Sequence, residues 1–381
     1  MVAFKSVAAP DVATLPVIRQ TALSRLTPEV ADFLEGGAGD ESTLLANRSA
    51  FSHWGFRQRV MSGLAGPDLS TSFLGIELAM PVMTAPFGAD GLFHPQGQKA
   101  VARANRAAGI ASIVPEAGTF GLEEVVQAAP EAARIAQLHP MGPEKNFLAM
   151  LARIEDAGCE AICLTVDCPT GGWRERVLRH SFDLDARYVA GNYPDSPDSA
   201  DGGETTLIQV FGQLFERSAT VWSWDRLASL MSHTRLPWFA KGIMTADDAL
   251  ASEAAGAHAV YVSNHGGRQL DGVPAALDAL VEVRRAIDGR LPIVFDSGVR
   301  RGADVVKALA LGADVAVIGR LAAYGLAAGG QAGVERVHSL LYDEIRTVLT
   351  LLGRGGVHDL SPDVLIPQGG SVLHGILGAD V

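Results

Sequence analysis

Short apolar runs alternate with helical segments along the chain from about residue 80 onward. Between several runs, the spacing of apolar positions and a terminal glycine predict helices, for example at 98–108, 246–255 and 302–311. Runs that are apolar throughout are typical of parallel strands covered on both faces. Eight strand–helix units predict an α/β fold that closes into a (β/α)8 TIM barrel. The predicted strands are 81–86, 110–115, 133–138, 161–166, 237–240, 257–262, 292–295 and 314–318.

The two ends of the chain and one long connection do not follow this repeat. Residues 1–78 predict an N-terminal segment of helices and loops, and residues 331–381 predict a C-terminal helical region. A long loop, 168–235, follows the fourth strand, and loops of that length are usually functional lids or disordered segments. We expect one domain over 1–381, with the barrel at 79–330. An open doubly wound sheet is the structural alternative, but no Gly-x-Gly-x-x-Gly motif follows the first strand.

Composition narrows the possible functions. The 381 residues carry a formal net charge of -12, which argues against a nucleic-acid partner. The three cysteines are odd in number and lack the regular spacing of a disulfide framework, which argues against a disulfide-rich secreted protein. Cys159 and Cys163 lie four residues apart, but no second Cys/His cluster completes a metal site. We predict no metal. Neither a signal peptide nor an apolar run of membrane-spanning length is present, so we expect a cytoplasmic protein that does not bind a membrane.

Candidate chemistry lies where the predicted strands end, which is where TIM barrels form their active sites. The sixth strand is followed by Ser-Asn-His-Gly-Gly-Arg-Gln-Leu-Asp at 263–271. His265 can take up and release a proton near neutral pH, and the planar guanidinium of Arg268 suits a carboxylate. The glycines between them allow a sharp turn. This stretch therefore indicates a site that removes a proton from a small acid.

Four other strand ends carry charged residues. Gly298, Arg300, Gly319 and Arg320 follow the seventh and eighth strands, the usual phosphate position of a TIM barrel. The alternative is that Arg300 is a surface charge. Lys241 and Asp167 end the fifth and fourth strands, where they can be active-site groups or simply an ion pair and a helix cap.

The motifs at these strand ends resemble, in order, those of the FMN-dependent L-2-hydroxy acid oxidases and dehydrogenases. That family includes glycolate oxidase, lactate oxidase, mandelate dehydrogenase and 4-hydroxymandelate oxidase. The resemblance implies a TIM barrel, bound FMN and oxidation of a CH–OH group. The matching stretches, besides 263–271, are 37–47, 80–86, 93–97, 165–167, 241–242, 296–302 and 318–320.

The resemblance also implies roles for individual residues. His265 matches the base that takes the substrate's proton, with Asp167 as its carboxylate partner. Lys241 matches a lysine beside flavin N1, where it would stabilise the anionic reduced flavin. Arg174 and Arg268 match the two arginines that hold the substrate carboxylate. Without the resemblance, Arg174 would be interpreted as a solvated arginine of a loop. The residues that match FMN-binding positions are Ala85, Pro86, Phe87, Gln137, Thr165, Lys241, Ser263, Asp296, Ser297, Gly298, Arg300, Gly319 and Arg320.

Four candidate substrate-binding residues depart from the family pattern. Phe33 and His139 stand where tyrosines are usual, while Gly88 and Ala117 stand where larger residues are common. Smaller side chains on the pocket wall favour a substrate larger than lactate, such as a mandelate-like acid. Glu116, beside Ala117, adds a negative charge that either recognises an amine or faces solvent.

The function predicted from these residues is FMN-dependent oxidation of an L-2-hydroxy acid to the 2-oxo acid, with O2 as electron acceptor. The resemblance also implies a homotetramer. Three alternatives stay open at this point. They are oxidation of an amine or modified peptide at the same flavin site, a non-catalytic flavoprotein, and a phosphate-binding barrel without flavin.

Overall fold

Three short helices and three short strands precede the barrel along the chain. The computed structural model describes residues 14–64, 66–141, 144–180, 184–193 and 222–368. The sequence pattern predicted only helices and loops before residue 79, because three-residue strands are too short to show alternation. The elements are α1 (Leu15–Arg25), α2 (Pro28–Glu35), α3 (Ser42–Ser49), β1 (Trp54–Phe56), β2 (Thr71–Phe73) and β3 (Ile76–Leu78).

Eight parallel strands then close into a barrel, which confirms the predicted TIM-barrel fold. Each strand pairs with the next along the chain, and Ala316 of the last strand lies opposite Val82 of the first. Their side chains are almost entirely buried, as the apolar runs required. The strands are β4 (Val82–Thr84), β5 (Ser112–Val114), β6 (Arg134–Leu138), β7 (Ala161–Thr165), β8 (Trp238–Ile243), β9 (Ala259–Val262), β10 (Ile293–Phe295) and β11 (Val315–Ile318).

Nine further helices of the described residues cover the barrel or follow it. Glycines with positive φ end α4 and α12, at Gly109 (65°) and Gly353 (64°). None of the helices in the described part of the chain has the length and apolar character that a membrane crossing requires. The helices are α4 (Gly97–Ala108), α5 (Leu122–Ala128), α6 (Glu144–Asp156), α7 (Glu175–Arg179), α8 (Trp224–Met231), α9 (Ala246–Ala254), α10 (Ala276–Ile287), α11 (Gly302–Ala310) and α12 (Arg320–Leu352).

The C-terminal region is helical only as far as Leu352. Beyond it lie short turns and strand β12 (Leu365–Pro367), which pairs antiparallel with β1. A local sequence pattern cannot reveal this pair, because its strands lie about three hundred residues apart. Residues 369–381, and the parts 181–183 and 194–221 of the predicted loop 168–235, lie outside the described residues.

One histidine within the helical shell makes stability depend on pH. His338 of α12 is 0% exposed, and neither ring nitrogen has a well-formed hydrogen bond within the described residues. Burial lowers the pKa of His338 to about 4, and a backbone contact at Ala104 offsets this only in part. The unfolded chain, with an ordinary histidine pKa of 6.5, therefore takes up this proton first as the pH falls. Stability that is fully present above pH 6.5 is lost between pH 6.5 and about 4.

We predict that His338→Leu flattens this pH dependence. Between pH 7.5 and 5, the loss of unfolding free energy should be smaller in the variant than in the wild type by about 2 kcal/mol. Urea unfolding at the two pH values measures the difference. His358→Leu, at an exposed position, is the control and should behave as wild type. Equal pH dependence in wild type and His338→Leu would contradict the assignment.

Candidate active site

A cavity of about 240 Å³ lies at the carboxyl ends of the barrel strands. It is closed on one side by residues of α2 and by the segment 184–193. The structure brings most of the residues singled out in the sequence to this one place. Those on its wall are Phe33, Ala85, Pro86, Phe87, Gly88, Ala117, Gln137, His139, Thr165, Arg174, Lys241, His265, Arg268, Asp296, Ser297, Gly298, Arg300, Gly319 and Arg320.

A strained turn after β9 presents His265 to the cavity. His265 has φ 58°, a conformation that costs a non-glycine residue about 1–3 kcal/mol, and Gly266 and Gly267 continue the left-handed path. Ser297 stabilises this turn, because its hydroxyl accepts hydrogen bonds from the backbone N–H of Gly266 (3.1 Å) and Asn264 (3.3 Å). These contacts fix the position of the imidazole.

His265 forms an imidazole–carboxylate pair with Asp167. Its Nδ1 lies 3.2 Å from both carboxylate oxygens, so Nδ1–H donates to Asp167 and Nε2 is left as the proton acceptor. Burial, with Lys241, lowers the pKa of His265 to about 4, although Asp167 opposes the shift. Burial acts to raise the pKa of Asp167, but His265 and Lys241 outweigh it and hold that pKa well below its usual range. At neutral pH this pair can therefore accept a proton at Nε2.

Lys241 lies against the same imidazole. Its Nζ is 3.4 Å from His265 Nδ1, and its side chain is only 4% exposed. Burial lowers the pKa of Lys241, but the carboxylates of Asp167 and Asp296 outweigh it, so the pKa is raised and the ammonium is kept. The Asp167 side chain packs closely against the backbone of β8 at Gly242. A Cβ at Gly242 would lie 2.6 Å from the Asp167 Cβ, so this close packing depends on glycine.

Arg174 and Arg268 bring positive charge into the cavity, and neither forms an ion pair with a carboxylate of the described residues. Arg268 donates to the carbonyls of Phe33 (2.8 Å) and Gly36 (2.7 Å), and its guanidinium lies 5.2 Å from the Phe33 ring centroid. Arg174 donates to the Arg268 carbonyl and to Gln269. Burial, and for Arg268 the neighbouring arginines, lowers the pKa of both groups. A ligand carboxylate bound between the two guanidiniums would offset the cost of burying their positive charges.

Arg300 and Arg320 form a second such pair at the ends of β10 and β11. Burial lowers the pKa of both, that of Arg320 to about 10, and neither forms an ion pair among the residues that the structure describes. The backbone N–H groups at the start of α11 are already used, because Asp304 accepts from Arg300 (2.8 Å) and Arg301 (3.0 Å). An anion here would therefore depend on the two side chains rather than on that helix end.

Two predicted residues do not line the cavity. Asp167 lies 3.2 Å from His265 Nδ1 and is not on the cavity wall. Ser263, expected beside the flavin ring, is 0% exposed, and its hydroxyl accepts from the His265 backbone N–H at 3.1 Å.

Sequence reasoning missed several residues of the cavity wall, and three of them bear directly on its shape or chemistry. Leu184 and Val189 line the cavity and pack with Ala89. Their one signal was their position in a loop long enough to be functional. Cys168 lies 3.6 Å from both Asp167 Oδ1 and His265 Nδ1. Its signal was its position directly after Asp167.

Asp167, Cys168 and His265 also have metal-binding atoms close together, all within 4.8 Å of one another. A cation among them would face the Lys241 ammonium, 3.4 Å from His265 Nδ1. Burial raises the pKa of the Cys168 thiol, so the thiolate that a metal needs is disfavoured. The cluster is better suited to holding a proton than a metal.

Gly88 does not enlarge the pocket in the way its missing side chain suggests. A Cβ at Gly88 would lie 2.4 Å from the carbonyl oxygen of Ala117, so glycine is needed for close contact between two strand ends. Ala117 itself lines the cavity with a small side chain. The room predicted from these two positions therefore comes from Ala117 alone.

His139 is held by Glu116, which neither faces solvent nor is free to bind an amine. Glu116 is 7% exposed, and its Oε2 lies 2.7 Å from Nδ1 of His139. The Tyr193 hydroxyl donates to Oε1. A second imidazole–carboxylate pair therefore borders the cavity.

Comparison with known proteins adds independent information. A family model described as FMN-dependent dehydrogenase matches residues 22–367. The chain is 39% identical to an L-lactate oxidase of Lysinibacillus sphaericus over 344 residues, 89% of this chain and 88% of the relative. It is 37% identical to a 4-hydroxymandelate oxidase of Amycolatopsis orientalis over 340 residues, 89% and 94% of the two chains. A mandelate oxidase variant solved with (S)-mandelic acid superposes with a TM-score of 0.83 at 34% identity, covering 94% of this chain and 99% of that one.

We predict that Asp167→Asn lowers the pKa of His265 further. The carboxylate is the group that stabilises the imidazolium, so its neutral replacement leaves burial and Lys241 unopposed. Histidine-selective NMR over a pH series would report the titration: a pKa of about 4 in the wild type and a lower one in the variant. Asp225→Asn, in the first turn of α8, is the control. An unchanged or higher His265 pKa in Asp167→Asn would contradict the pairing.

Proposed function

The chain belongs to the FMN-dependent dehydrogenase family, and we propose that it oxidises an L-2-hydroxy acid larger than lactate, a mandelate-like acid, to the 2-oxo acid. Membership makes it an FMN-dependent 2-hydroxy acid oxidase or dehydrogenase, an oxidoreductase that acts on CH–OH. The relatives named above give no support to oxidation of an amine or to a non-catalytic flavoprotein.

The residues of the cavity fit FMN. Arg300 and Arg320 supply positive charge that no carboxylate in the described part of the chain pairs with, which suits a phosphate. Gln137, Thr165 and Lys241 lie at other strand ends on the same wall and would contact the rest of the cofactor. When bound, FMN supplies the two-electron acceptor that the oxidation needs.

His265 is the residue that we propose takes the proton released by the substrate. Its Nε2 is a neutral acceptor, because Nδ1–H is committed to Asp167 and the pKa is about 4. Arg174 and Arg268 would hold the substrate carboxylate and so place the CH–OH group at Nε2. Once His265 is protonated, Asp167 stabilises the imidazolium, as carboxylates do in other histidine pairs.

An apolar wall supports a substrate larger than lactate. Ala89, Leu184 and Val189 form a buried cluster with Phe33 and Ala117 packed against it. A phenyl group buries more apolar surface there than a methyl group, which is worth about 2 kcal/mol. This wall is the observation that carries the mandelate-like assignment.

We propose O2 as electron acceptor, with hydrogen peroxide as its product. The support is that the relatives named above are called oxidases. The homotetramer implied by the family resemblance and the cytoplasmic location expected from the sequence both stay predictions.

Anaerobic mixing with (S)-mandelate should bleach the visible absorbance of the bound flavin. The apparent specificity constant should exceed that for L-lactate at least tenfold, because of the apolar wall. His265→Asn should retain FMN but reduce it at least a hundredfold more slowly. In air, hydrogen peroxide should accumulate with benzoylformate.

His358→Asn, at an exposed position, is the matched control and should reduce flavin as the wild type does. Absence of bleaching by every 2-hydroxy acid tried would contradict the proposed reaction. A preference for lactate over mandelate would contradict only the substrate size, and rapid reduction in His265→Asn would contradict the base.

Arg300→Met should weaken FMN binding roughly tenfold to a hundredfold, the effect of losing one charge-assisted hydrogen bond. Quenching of flavin fluorescence on binding measures the dissociation constant. Arg301→Met is the matched control, because Arg301 pairs with Glu344 at 2.8 Å and does not line the cavity. Equal weakening in both variants would show that the effect is not specific to Arg300.

A further inference from the structure

Tyr261 of β9 places a hydroxyl group in the buried core of the barrel. Its side chain is 0% exposed, and its ring centroid lies 6.2 Å from that of Phe239. In the strand register Tyr261 lies opposite Lys241 of β8, whose Nζ is 5.6 Å from the Tyr261 ring centroid. A buried hydroxyl needs a hydrogen-bond partner, and the proposed reaction gives this one no role.

The partner of that hydroxyl is the Asp296 carboxylate, directly after β10. Tyr261 donates to Asp296 Oδ2 at 2.9 Å, and the Ser297 hydroxyl donates to Asp296 Oδ1 at 2.8 Å. Burial and the charge of Asp296 raise the pKa of Tyr261 well above its usual range, so its hydroxyl keeps its proton. Hydroxyl donors therefore hold both oxygens of Asp296 and fix the orientation of the carboxylate.

The hydrogen bonds of Ser297 leave its proton only one acceptor. The hydroxyl oxygen accepts from the backbone N–H of Gly266 and Asn264, so the single proton goes to Asp296. The backbone of Ser297 has φ 80°, which is strained for a residue with a side chain. Glycine would adopt this conformation without strain but would supply no hydroxyl. Serine at this position therefore costs conformational energy and gains three hydrogen bonds, one of them to Asp296.

The Lys241 ammonium lies near Asp296 but does not pair with it. Among the described residues, its one hydrogen-bond contact is with Nδ1 of His265, at 3.4 Å. Burial acts to lower the pKa of Lys241, but the charges of Asp167 and Asp296 outweigh it and raise that pKa. A buried carboxylate and ammonium attract each other strongly. The hydroxyl groups on Asp296 oppose this attraction, because movement of the carboxylate towards Lys241 would break both hydrogen bonds.

We propose that Tyr261 and Ser297 are positioning residues, whose hydroxyls hold the Asp296 carboxylate away from Lys241 so that the ammonium stays directed at the cofactor. Reduction adds negative charge to the flavin, and a cation that no carboxylate neutralises stabilises that charge best. This rests on the proposed function, which assigns the cavity to FMN and an acid. Tyr261 does not line the cavity, so it acts on the cofactor only through Asp296.

Tyr261→Phe tests the proposal, because it removes one oxygen and keeps the ring beside Lys241. With FMN bound at saturation, the equilibrium between oxidised and reduced flavin should shift roughly tenfold against the reduced form, the effect of losing one hydrogen bond to a charged group. For a two-electron couple this lowers the midpoint potential by about 30 mV. Anaerobic reductive titration against a dye of known potential measures the shift. Reduction by mandelate should slow, while the dissociation constant of benzoylformate stays the same, because no group that holds the acid changes.

Asp296→Asn decides whether the effect passes through the carboxylate. An amide cannot neutralise Lys241, so Tyr261→Phe should leave the potential unchanged when it is added to Asp296→Asn. Ser297→Gly removes the other hydroxyl and relieves the strain at φ 80°, and it should lower the potential as Tyr261→Phe does. It gives the same test should the buried Tyr261→Phe variant fail to fold.

Two variants outside the cavity are the matched controls. Ser252→Ala removes an equally buried hydroxyl, which donates to the Ala249 carbonyl within α9. Tyr342→Phe removes a tyrosine hydroxyl from α12. Neither residue lines the cavity, so both variants should keep the wild-type potential. Bound FMN and the unfolding temperature report folding.

A potential in Tyr261→Phe that equals or exceeds the wild-type value would overturn the proposal, as would an equal fall when the change is added to Asp296→Asn. Reduction of the flavin by mandelate together with an unchanged potential in Tyr261→Phe would refute this inference alone. A fall in potential that Asp296→Asn abolishes, with no flavin reduction by any 2-hydroxy acid, would support it and refute the proposed reaction.

Discussion

Positive charge gathered at one end of the barrel is the constraint on which the rest of the site depends. Lys241 and four arginines (Arg174, Arg268, Arg300 and Arg320) line a single cavity, and burial lowers the pKa of every one of the arginines. The carboxylates of Asp167 and Asp296 offset only part of this charge. The arginines are held by backbone carbonyls and an amide, which orient the guanidiniums but do not neutralise them. The fold thus keeps a cavity that is suited to two anions, a phosphate and a carboxylate.

The barrel stabilises this cavity, because its rigid strand ends hold residues in strained backbone conformations. His265 takes a left-handed conformation that Ser297 supports, and Gly242 lets the Asp167 side chain pack closely against β8. Burial and Lys241 keep His265 neutral, while Asp167 is ready to stabilise its protonated form. The proton transfer that we propose at Nε2 therefore depends on the same packing that creates the positive cavity. At two other strand ends, Glu116 and His139 repeat the imidazole–carboxylate arrangement.

Much of this organisation could be predicted from the chain alone, for a physical reason. Strands covered on both faces must be apolar along their whole length, so the eight runs were visible, and polar residues that interrupt them had to face the barrel mouth. What could not be predicted depends on backbone paths and distant contacts. Ser263 is buried against the His265 backbone, and Gly88 is needed for contact with Ala117 rather than for space. The pairing of Glu116 with His139 depends on side chains 23 positions apart meeting across adjacent strands.

A crystal structure of the FMN-bound protein with benzoylformate would test the central claim most directly, because it shows where each anion lies. The account predicts the phosphate against Arg300 and Arg320, and the carboxylate against Arg174 and Arg268, with the keto oxygen or carboxylate within hydrogen-bonding distance of His139 or His265. A carboxylate seated on the apolar wall, with both of its arginines still bonded only to the protein, would contradict the account. So would a phosphate bound away from Arg300 and Arg320.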